Sequence, residues 1–303
     1  MQAEPNPRTG GVRYALAAYA IWGTLPLYVA LLRHVPPQVL VGWRAVFTLP
    51  VCFMLIAGMA WTGKPYWSRL LTVLRQPRLV GVLAFSALLI GSNWLIYVYA
   101  VQERHVLATS VGYYINPLVN VLLGTLVLGE RLSRRQWLAV GLAAIGVGML
   151  AWGALDTMAI SVSLAMSFAL YGLVRKMAPI DPLVALTVET MAMFPVAALA
   201  LLLAPAGLPG LSLAQDPITG LMLAGAGVLT AVPLVLFGVA AQRMDYSAMG
   251  FIQFTTPTLA FLFGVFIFDE PLREAQVLCF AAIWAGIAVF VWDIIARKRA
   301  ERA

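Results

Sequence analysis

Two charged side chains interrupt long apolar stretches of this chain, and their types could do chemistry there. Arg44 lies within the apolar run 36–60, and Glu189 lies within the run 182–203. A charge inside a bilayer is costly and usually marks a functional position. We expect Arg44 to hold the carboxylate of a small molecule and Glu189 to take and release a coupling proton. The alternatives are a structural ion pair between Arg44 and Glu189, or an Arg44 side chain that extends to the membrane surface.

Polar and aromatic residues recur in a few segments of the same apolar runs. Besides Arg44, the residues predicted to bind a solute are Tyr19, Trp22, Asn93, Trp94, Tyr97, Tyr113, Tyr114, Asn116 and Gln253. Aromatic rings offer faces to an organic molecule, and amides in lipid must find hydrogen-bond partners. We therefore expect a polar-aromatic cavity for an amphipathic molecule. The open alternative is that the amides form hydrogen bonds between helices while the rings pack.

Other kinds of site are poorly supported by the residue pattern. Gly58–Lys64 resembles a phosphate-binding loop, but Pro65 stands where Ser or Thr is required. Gly146–Ala151 resembles a dinucleotide fingerprint, yet it lies within an apolar run and predicts a packing contact. His34 and His105 have neither metal-ligand nor triad spacing. We predict no catalytic residue, no metal ion and no cofactor.

The elements that carry these residues must lie in lipid. The chain has 303 residues, of which 62% are hydrophobic and 11% charged, against about 25% charged in soluble domains. Its charge of +7 sits in short connections and forms no basic, aromatic surface, so no nucleic-acid partner is expected. The expected partners are the lipid bilayer and a small-molecule solute, and a monomer is plausible.

Ten apolar runs are long enough to cross a bilayer as helices. They are 13–33, 36–60, 79–101, 107–128, 135–152, 158–175, 182–203, 217–241, 246–268 and 273–295. With the N-terminus inside, 16 basic residues fall on the inner side and 3 on the outer side, which leaves Arg44 within a helix. Positive residues favour the cytoplasmic side, so both termini are predicted to be cytoplasmic.

The two halves of the chain resemble each other. A shift of 140 residues aligns Gln102 with Gln242, Pro117 with Pro257 and Trp152 with Trp292. The predicted parts are a cytoplasmic N-terminus 1–12, a first repeat 13–152, a second repeat 158–295 and a basic cytoplasmic tail 296–303. Because each repeat holds five helices, the second enters the membrane from the opposite side, as in transporters with inverted repeats. The alternative is a duplication kept for stability alone.

Prolines within the runs are predicted to bend the helices, because each removes a backbone hydrogen bond. We expect Pro26, Pro117 and Pro257 to act as hinges. Between the second and third runs, the basic segment 64–78 carries apolar residues at helical spacing. It is either an ordinary loop or a helix that lies flat among the lipid headgroups.

Two acidic residues at the ends of apolar runs, Glu130 and Glu270, are predicted to be structural. Ser133 and Gln136 have the spacing of a capping box at the start of the fifth run. An acid just before such a start also suits the helix dipole.

Several motifs resemble the EamA family of the drug/metabolite transporter superfamily, and within it the RarD-type permeases. They are Ala17–Gly23, Gly91–Trp94, Gly112–Asn120, Leu128–Arg131, Tyr171–Lys176, Glu189–Thr190 and Gly250–Phe254. The resemblance covers nearly the whole chain. It implies two inverted EamA repeats, a basket-like cavity and export of small organic metabolites, amino acids or drugs across a bacterial inner membrane.

These observations favour a secondary active transporter, and more specifically an exporter, that works by alternating access. The alternative is an integral-membrane enzyme that acts on a lipid or prenyl substrate. Such enzymes usually gather several acids or histidines at one membrane face to hold a metal, and the sequence has no such group.

Overall fold

The computed structural model describes residues 7–103, 105–152, 155–267 and 274–300, and all regular elements in these ranges are helical. The helices are α1 (Pro7–Leu31), α2 (Pro37–Trp61), α3 (Tyr66–Leu74), α4 (Pro77–Gln102), α5 (Val106–Leu126), α6 (Arg134–Trp152), α7 (Met158–Met177), α8 (Pro182–Leu202), α9 (Pro217–Arg243), α10 (Tyr246–Gln253), α11 (Thr255–Phe266) and α12 (Glu274–Ala300), with a 3₁₀ turn at Leu155–Thr157. The predicted all-α class is confirmed. Glu270 lies outside the described residues.

Eight of the described helices are long and apolar enough to cross a membrane. They are α1, α2, α4, α6, α7 with the preceding 3₁₀ turn, α8, α9 and α12. The chain is therefore a multi-pass membrane protein. The other two predicted spans coincide with α5 and with the pair α10 and α11, so ten transmembrane helices stay a prediction. α1 begins at Pro7, within the predicted cytoplasmic N-terminus 1–12, and α12 ends at Ala300, within the predicted tail 296–303. Both helices are therefore longer than the predicted spans.

One predicted helix is wrong as a continuous element. The run 246–268 divides at Phe254 into α10 and α11. Pro257 lies in the first turn of α11, where it has no N–H to donate to the carbonyl of Gln253, and its ring crowds that carbonyl. By contrast, Pro26 and Pro117 lie inside helices that continue without a break. Of the three predicted hinges, only Pro257 lies at an interruption.

Helix starts follow local chemistry. α8 and α9 begin at Pro182 and Pro217, each directly after an aspartate. The carboxylates of Asp181 and Asp216 accept the first free backbone N–H groups of these helices. Proline at the first position and aspartate at the N-cap form a favourable helix start, since the missing proline N–H would have been unpaired anyway.

Most of the larger helix contacts recur when the two halves are exchanged. α1 packs on α9 as α4 packs on α7, and α2 packs on α9 as α4 packs on α8. α5 packs on α7 as α10 and α11 pack on α1, while α2 with α8 and α6 with α12 form self-equivalent pairs. This agrees with two structurally similar halves.

The α6–α12 pair repeats one close contact twice. A β-carbon at Gly146 would lie 2.7 Å from the carbonyl oxygen of Cys279, and one at Gly286 would lie 2.8 Å from that of Ala139. The shift of 140 residues converts one contact into the other. Residue 146 of α6 lies beside residue 279 of α12, and residue 139 lies beside residue 286. Because the numbers rise in opposite directions, the two helices are antiparallel. The predicted packing role of Gly146 is confirmed.

Candidate functional site

Four of the predicted solute-binding residues lie together on α2, α4 and α5. The guanidinium carbon of Arg44 lies 4.6 Å from the centroid of the Trp94 ring, a cation–π distance. The rings of Tyr97 and Tyr113 are 6.2 Å apart, and both tyrosines lie near Arg44. Arg44 Nε is buried without a hydrogen-bond partner among the described residues, whereas Tyr97 and Tyr113 are 36% and 38% exposed. We call Arg44, Trp94, Tyr97 and Tyr113 the Arg44 group. It offers an unused hydrogen-bond donor beside accessible aromatic faces.

A second set of predicted residues forms a buried amide network where α5, α10 and α1 meet. Gln253 Nε2 donates to Asn116 Oδ1 at 2.5 Å. Asn120 Nδ2 donates to Gln253 Oε1 at 2.7 Å, and the Tyr19 hydroxyl reaches the same oxygen at 3.4 Å. Asn116 Nδ2 donates to the carbonyl of Ala165 on α7 at 2.6 Å. These amides largely satisfy each other, so the network holds helices of the two halves together.

Asn120 belongs to this network although it is not among the predicted site residues. It lies one helical turn after Asn116 on the same face of α5, and this spacing was the available signal. Asn120 Oδ1 is buried and has no partner among the described residues. The network therefore keeps one unused acceptor.

The remaining predicted binding residues pack or bond elsewhere. Asn93 Nδ2 donates to the Leu164 carbonyl at 2.9 Å and to Ser167 Oγ at 3.0 Å, which ties α4 to α7. Trp22 packs against the rings of Tyr19, Phe168 and Phe237. Tyr114 packs edge-on against Phe280 of α12, with ring centroids 5.7 Å apart. None of these three shares a contact with the Arg44 group among the contacts described.

Glu189 forms its ion pair with Arg175 and not with Arg44. Its Oε1 lies 3.3 Å from Arg175 Nη1, and both side chains are 1% exposed. The Ser86 hydroxyl donates to Oε1 at 2.7 Å, and the Tyr171 hydroxyl lies 3.4 Å from Oε2. The alternative of an Arg44–Glu189 pair is therefore wrong for this structure. The carboxylate joins α4 of the first half to α7 and α8 of the second.

Arg175 corrects the expectation that Arg44 is the only interior basic residue. The sequence places Arg175 beside Lys176 at the end of a run, which is typical of a basic helix end at the membrane surface. Instead Arg175 Nη2 donates to the Pro182 carbonyl at 2.8 Å in the first turn of α8. Lys176 fulfils the expected role, because its Nζ donates to the Ala241 and Met244 carbonyls at the end of α9.

Glu130 has a structural role, but at another helix than the one expected. Its two oxygens accept the backbone N–H groups of Tyr246 and Ser247 at 2.6 and 2.8 Å, which caps α10. The start of α6 is capped by Ser133 and Gln136, whose side chains bond reciprocally to each other's backbone N–H at 3.0 and 2.9 Å. The predicted capping box is confirmed. Glu130 thus links the α5–α6 connection to the second half.

A cavity of about 650 Å³ lies elsewhere, between α1, α2 and α9. Its lining is almost wholly apolar and contains none of the predicted binding residues; it comprises Tyr28, Phe47, Pro50, Val51, Met54, Leu221, Met222, Ala224, Gly225 and Val228. A polar solute would find little to bind there, so we place the candidate site at the Arg44 group. Among the described residues, no cluster of three or more His, Cys, Asp or Glu side chains could hold a metal ion.

Comparisons with known proteins show that the chain is similar to RarD proteins and to transporters of the EamA-like family. The sequence profile of the EamA-like transporter family matches residues 9–152, which is close to the predicted first repeat. The chain is 41% identical over 290 residues to "Protein RarD" of Escherichia coli (strain K12), covering 95% of this chain and 96% of that protein. It is 35% identical to "Uncharacterized transporter YojE" of Bacillus subtilis (strain 168), covering 97% of each.

The chain is also similar to a more distant RarD protein and to a solved structure. The chain is 29% identical to "Chloramphenicol-sensitive protein RarD" of Pseudomonas aeruginosa, covering 96% of this chain and 97% of that protein. A solved crystal structure of a protein superposes with a TM-score of 0.72 at 22% identity, covering 92% of this chain and 96% of that one. At this identity the superposition supports the fold alone.

Proposed function

Because the chain belongs to the RarD-type EamA transporters, we propose that it exports small organic solutes by alternating access as a secondary active transporter. The solutes are metabolites, amino acids or drug-like molecules. We place the chain in a bacterial inner membrane with both termini cytoplasmic, as the distribution of basic residues favours. The main support for the site is that Arg44, which has an unused hydrogen-bond donor, lies against aromatic rings.

The missing partner of Arg44 indicates the chemistry of the solute. A shift of 145 residues aligns Pro37 with Pro182 and Arg44 with Glu189, so Arg44 and Glu189 hold equivalent positions in the two halves. Glu189 is neutralised by Arg175. In the first and sixth predicted helices, aligning Trp22 with Tyr171 places Pro26 opposite Arg175. Arg44 therefore has no counterpart of Arg175 in its own half, and it forms no ion pair with the described residues. A solute carboxylate can fill this place, since Arg binds carboxylates through paired hydrogen bonds. Trp94, Tyr97 and Tyr113 would hold its apolar part.

Alternating access requires two halves that can move against each other around this site. The antiparallel packing of equivalent helices α6 and α12 supports an inverted repeat, because repeats of equal orientation would place them parallel. The α10–α11 interruption supports a bend at Pro257. Glu130, on the predicted inner side of the first half, binds the N-terminus of α10 in the second half. This contact supports a state in which the two halves are closed against each other on the inner side.

Glu189 is the proposed carrier of the coupling proton. Its carboxylate bridges the halves through Ser86 and Arg175, so protonation would weaken contacts that hold α4 against α7 and α8. Neutralising one member of a buried ion pair removes most of the attraction between them. A proton taken up there is thus linked to the relative position of the halves.

The test is counterflow in proteoliposomes with a panel of amino acids and phenicols, with and without a pH gradient. Wild-type protein should exchange at least one solute and accumulate it only with the gradient. Arg44→Gln should reduce exchange of carboxylate-bearing solutes by tenfold or more, since a charge-assisted hydrogen bond contributes about 1.5–3 kcal/mol. Glu189→Gln should abolish gradient-driven accumulation.

Arg131→Gln serves as the matched control, because Arg131 is an exposed arginine of the α5–α6 connection. It should exchange solutes at the wild-type rate. Absence of exchange for every solute in the panel would overturn the transport proposal. Gradient-driven accumulation by a folded Glu189→Gln variant would overturn the coupling role alone.

A further inference from the structure

The short helix α3 lies between two candidate membrane spans. α2 ends at Trp61, α3 covers Tyr66–Leu74, and α4 begins at Pro77. Since α2 and α4 are both long enough to cross the bilayer, the helix that connects their ends lies at the level of the lipid headgroups. Trp61 at this level is 93% exposed, which is typical of the aromatic residues that mark the membrane interface.

The surface of α3 is divided into three faces. Tyr66, Leu70 and Val73 are buried against the protein. About 100° around the helix axis, an apolar face is exposed, which consists of Trp67, Leu71 and Leu74 at 44%, 52% and 37% exposure. A further 100° around, the face is polar and consists of Ser68, Thr72 and Arg75. This order places the exposed apolar face between the buried face and the polar face, and it leaves Arg69 on the side opposite the apolar face.

The helix is held firmly in this orientation. Asp181, the N-cap of α8, accepts the Tyr66 hydroxyl at 3.2 Å and lies 3.4 Å from Arg69 Nη1. The Trp67 ring stacks on Phe53 of α2 with an angle of 16° between the planes. The exposed apolar face is therefore fixed by contacts on both sides.

The charged side chains of the segment that contains α3 are all basic. Lys64, Arg75 and Arg78 are exposed, and none of their side chains has an ion-pair or hydrogen-bond partner described within the ranges that the structure covers. The segment 62–76 contains no acidic residue. Of these cations, Arg69 alone has a counter-charge among the residues that the structure describes, namely Asp181.

From these observations we infer that α3 and its flanking cations form a docking surface for anionic phospholipids. Trp67, Leu71 and Leu74 enter the boundary between headgroups and acyl chains, while Lys64 and Arg75 contact phosphate groups. An apolar face bordered by cations is the arrangement that binds anionic membrane surfaces. Each cation near such a surface strengthens binding roughly fivefold. This surface is separate from the Arg44 group and does not depend on the transport proposal.

The charge preference can be tested on the full-length protein in detergent. Its thermal unfolding would be followed while dioctanoyl phosphatidylglycerol or dioctanoyl phosphatidylcholine is added. A lipid that binds only the folded state raises the melting temperature. Phosphatidylglycerol should raise it more than phosphatidylcholine, and Lys64→Gln/Arg75→Gln should need roughly fivefold more phosphatidylglycerol per removed charge.

The matched control is Arg131→Gln/Arg134→Gln, which removes one exposed charge from the α5–α6 connection and one from the first residue of α6. Its response should equal that of the wild type. An equal loss in both double variants, or equal stabilisation of the wild type by the two lipids, would overturn the inference.

The orientation of α3 can be tested separately with a fluorescent label. Cysteines would replace Leu71 on the apolar face or Ser68 on the polar face, after Cys52 and Cys279 are changed to alanine. In proteoliposomes containing phosphatidylglycerol, the label at position 71 should be quenched by spin-labelled lipid and the label at position 68 by aqueous iodide. Iodide quenching of both labels would overturn the inference, as would protection of position 71 from both quenchers by a protein contact.

Discussion

At the scale of single residues, Arg175 and Glu189 depend on each other. Both are 1% exposed, and Arg175 Nε has no partner among the described residues. Taking either charge away leaves the other buried without compensation, which costs far more than removing both. The pair thus restricts which substitutions the core between α4, α7 and α8 tolerates.

This dependence gives a stability prediction. Arg175→Leu should destabilise the folded protein by about 3–5 kcal/mol, because it leaves the Glu189 carboxylate without its cation. Arg175→Leu/Glu189→Leu should recover much of that loss. Thermal unfolding of the single and double variants in one detergent measures the difference. If the double variant were no more stable than Arg175→Leu, the two charges would not be coupled in the folded state.

Arg44 and Glu189 stand out in the sequence as interior charges, whereas the burial of Arg175 does not, and the reason is physical. Arg44 and Glu189 interrupt long apolar runs, so their cost in lipid is visible from the sequence alone. Arg175 precedes Lys176 at a helix end, where an arginine ordinarily reaches the surface. Its burial depends on how the first turn of α8 lies over it, and that is a tertiary contact. Asn120 differs, because its spacing from Asn116 was a usable signal, although its partner Gln253 is remote in sequence.

At the scale of helices, close packing of α6 on α12 depends on one face of α6. Gly146 faces the Cys279 carbonyl, whereas a β-carbon at Gly148 would meet no neighbouring atom within 4 Å. Two glycines of the same helix therefore differ in what a methyl group would meet. Substitutions at the two positions separate packing from helix propensity.

Gly146→Ala should destabilise the protein by about 1–3 kcal/mol, because the methyl group forces the two helices apart. Gly148→Ala is the matched control and should be neutral or stabilising, since alanine favours the helix over glycine. Thermal unfolding of both variants in detergent is the measurement. A Gly146→Ala variant as stable as Gly148→Ala would show that the contact is not tight in the membrane-embedded protein.

Element positions were largely predictable, because long apolar runs between basic connections are a strong signal. Each of the ten predicted runs coincides with helix in the described residues. The interruption at Phe254 was not foreseen, since Pro257 and Pro117 look alike in sequence. Pro117 lies in a continuous helix and Pro257 at a break, and only the surrounding packing distinguishes them.

At the scale of the whole molecule, the number of membrane crossings decides how the two halves relate. α5 and the α10–α11 pair are the predicted spans that fall outside the eight long apolar helices. If both cross, each half holds five spans and the second half is inverted. If α5 did not cross, the connections before and after it would lie on the same side of the membrane.

Cysteine labelling distinguishes these cases. In a background without Cys52 and Cys279, a cysteine at Glu103 should react with an impermeant maleimide only in right-side-out vesicles. A cysteine at Arg131 should react only in inside-out vesicles. A cysteine at Lys64, before α4, is the control for the inner side. Labelling of positions 103 and 131 from the same side would contradict the ten-span topology and the inverted repeat.

The twofold contact between α6 and α12 also bears on how the interface responds to a single substitution. Position 146 meets 279 while its counterpart 286 meets 139, which is the reciprocal pattern of an interface between two identical subunits. A change that loosens the contact at position 146 therefore has an equivalent site at position 286, where the same backbone approach occurs a second time. The interface between α6 and α12 thus has two equivalent close contacts, and a substitution at one glycine leaves the other in place.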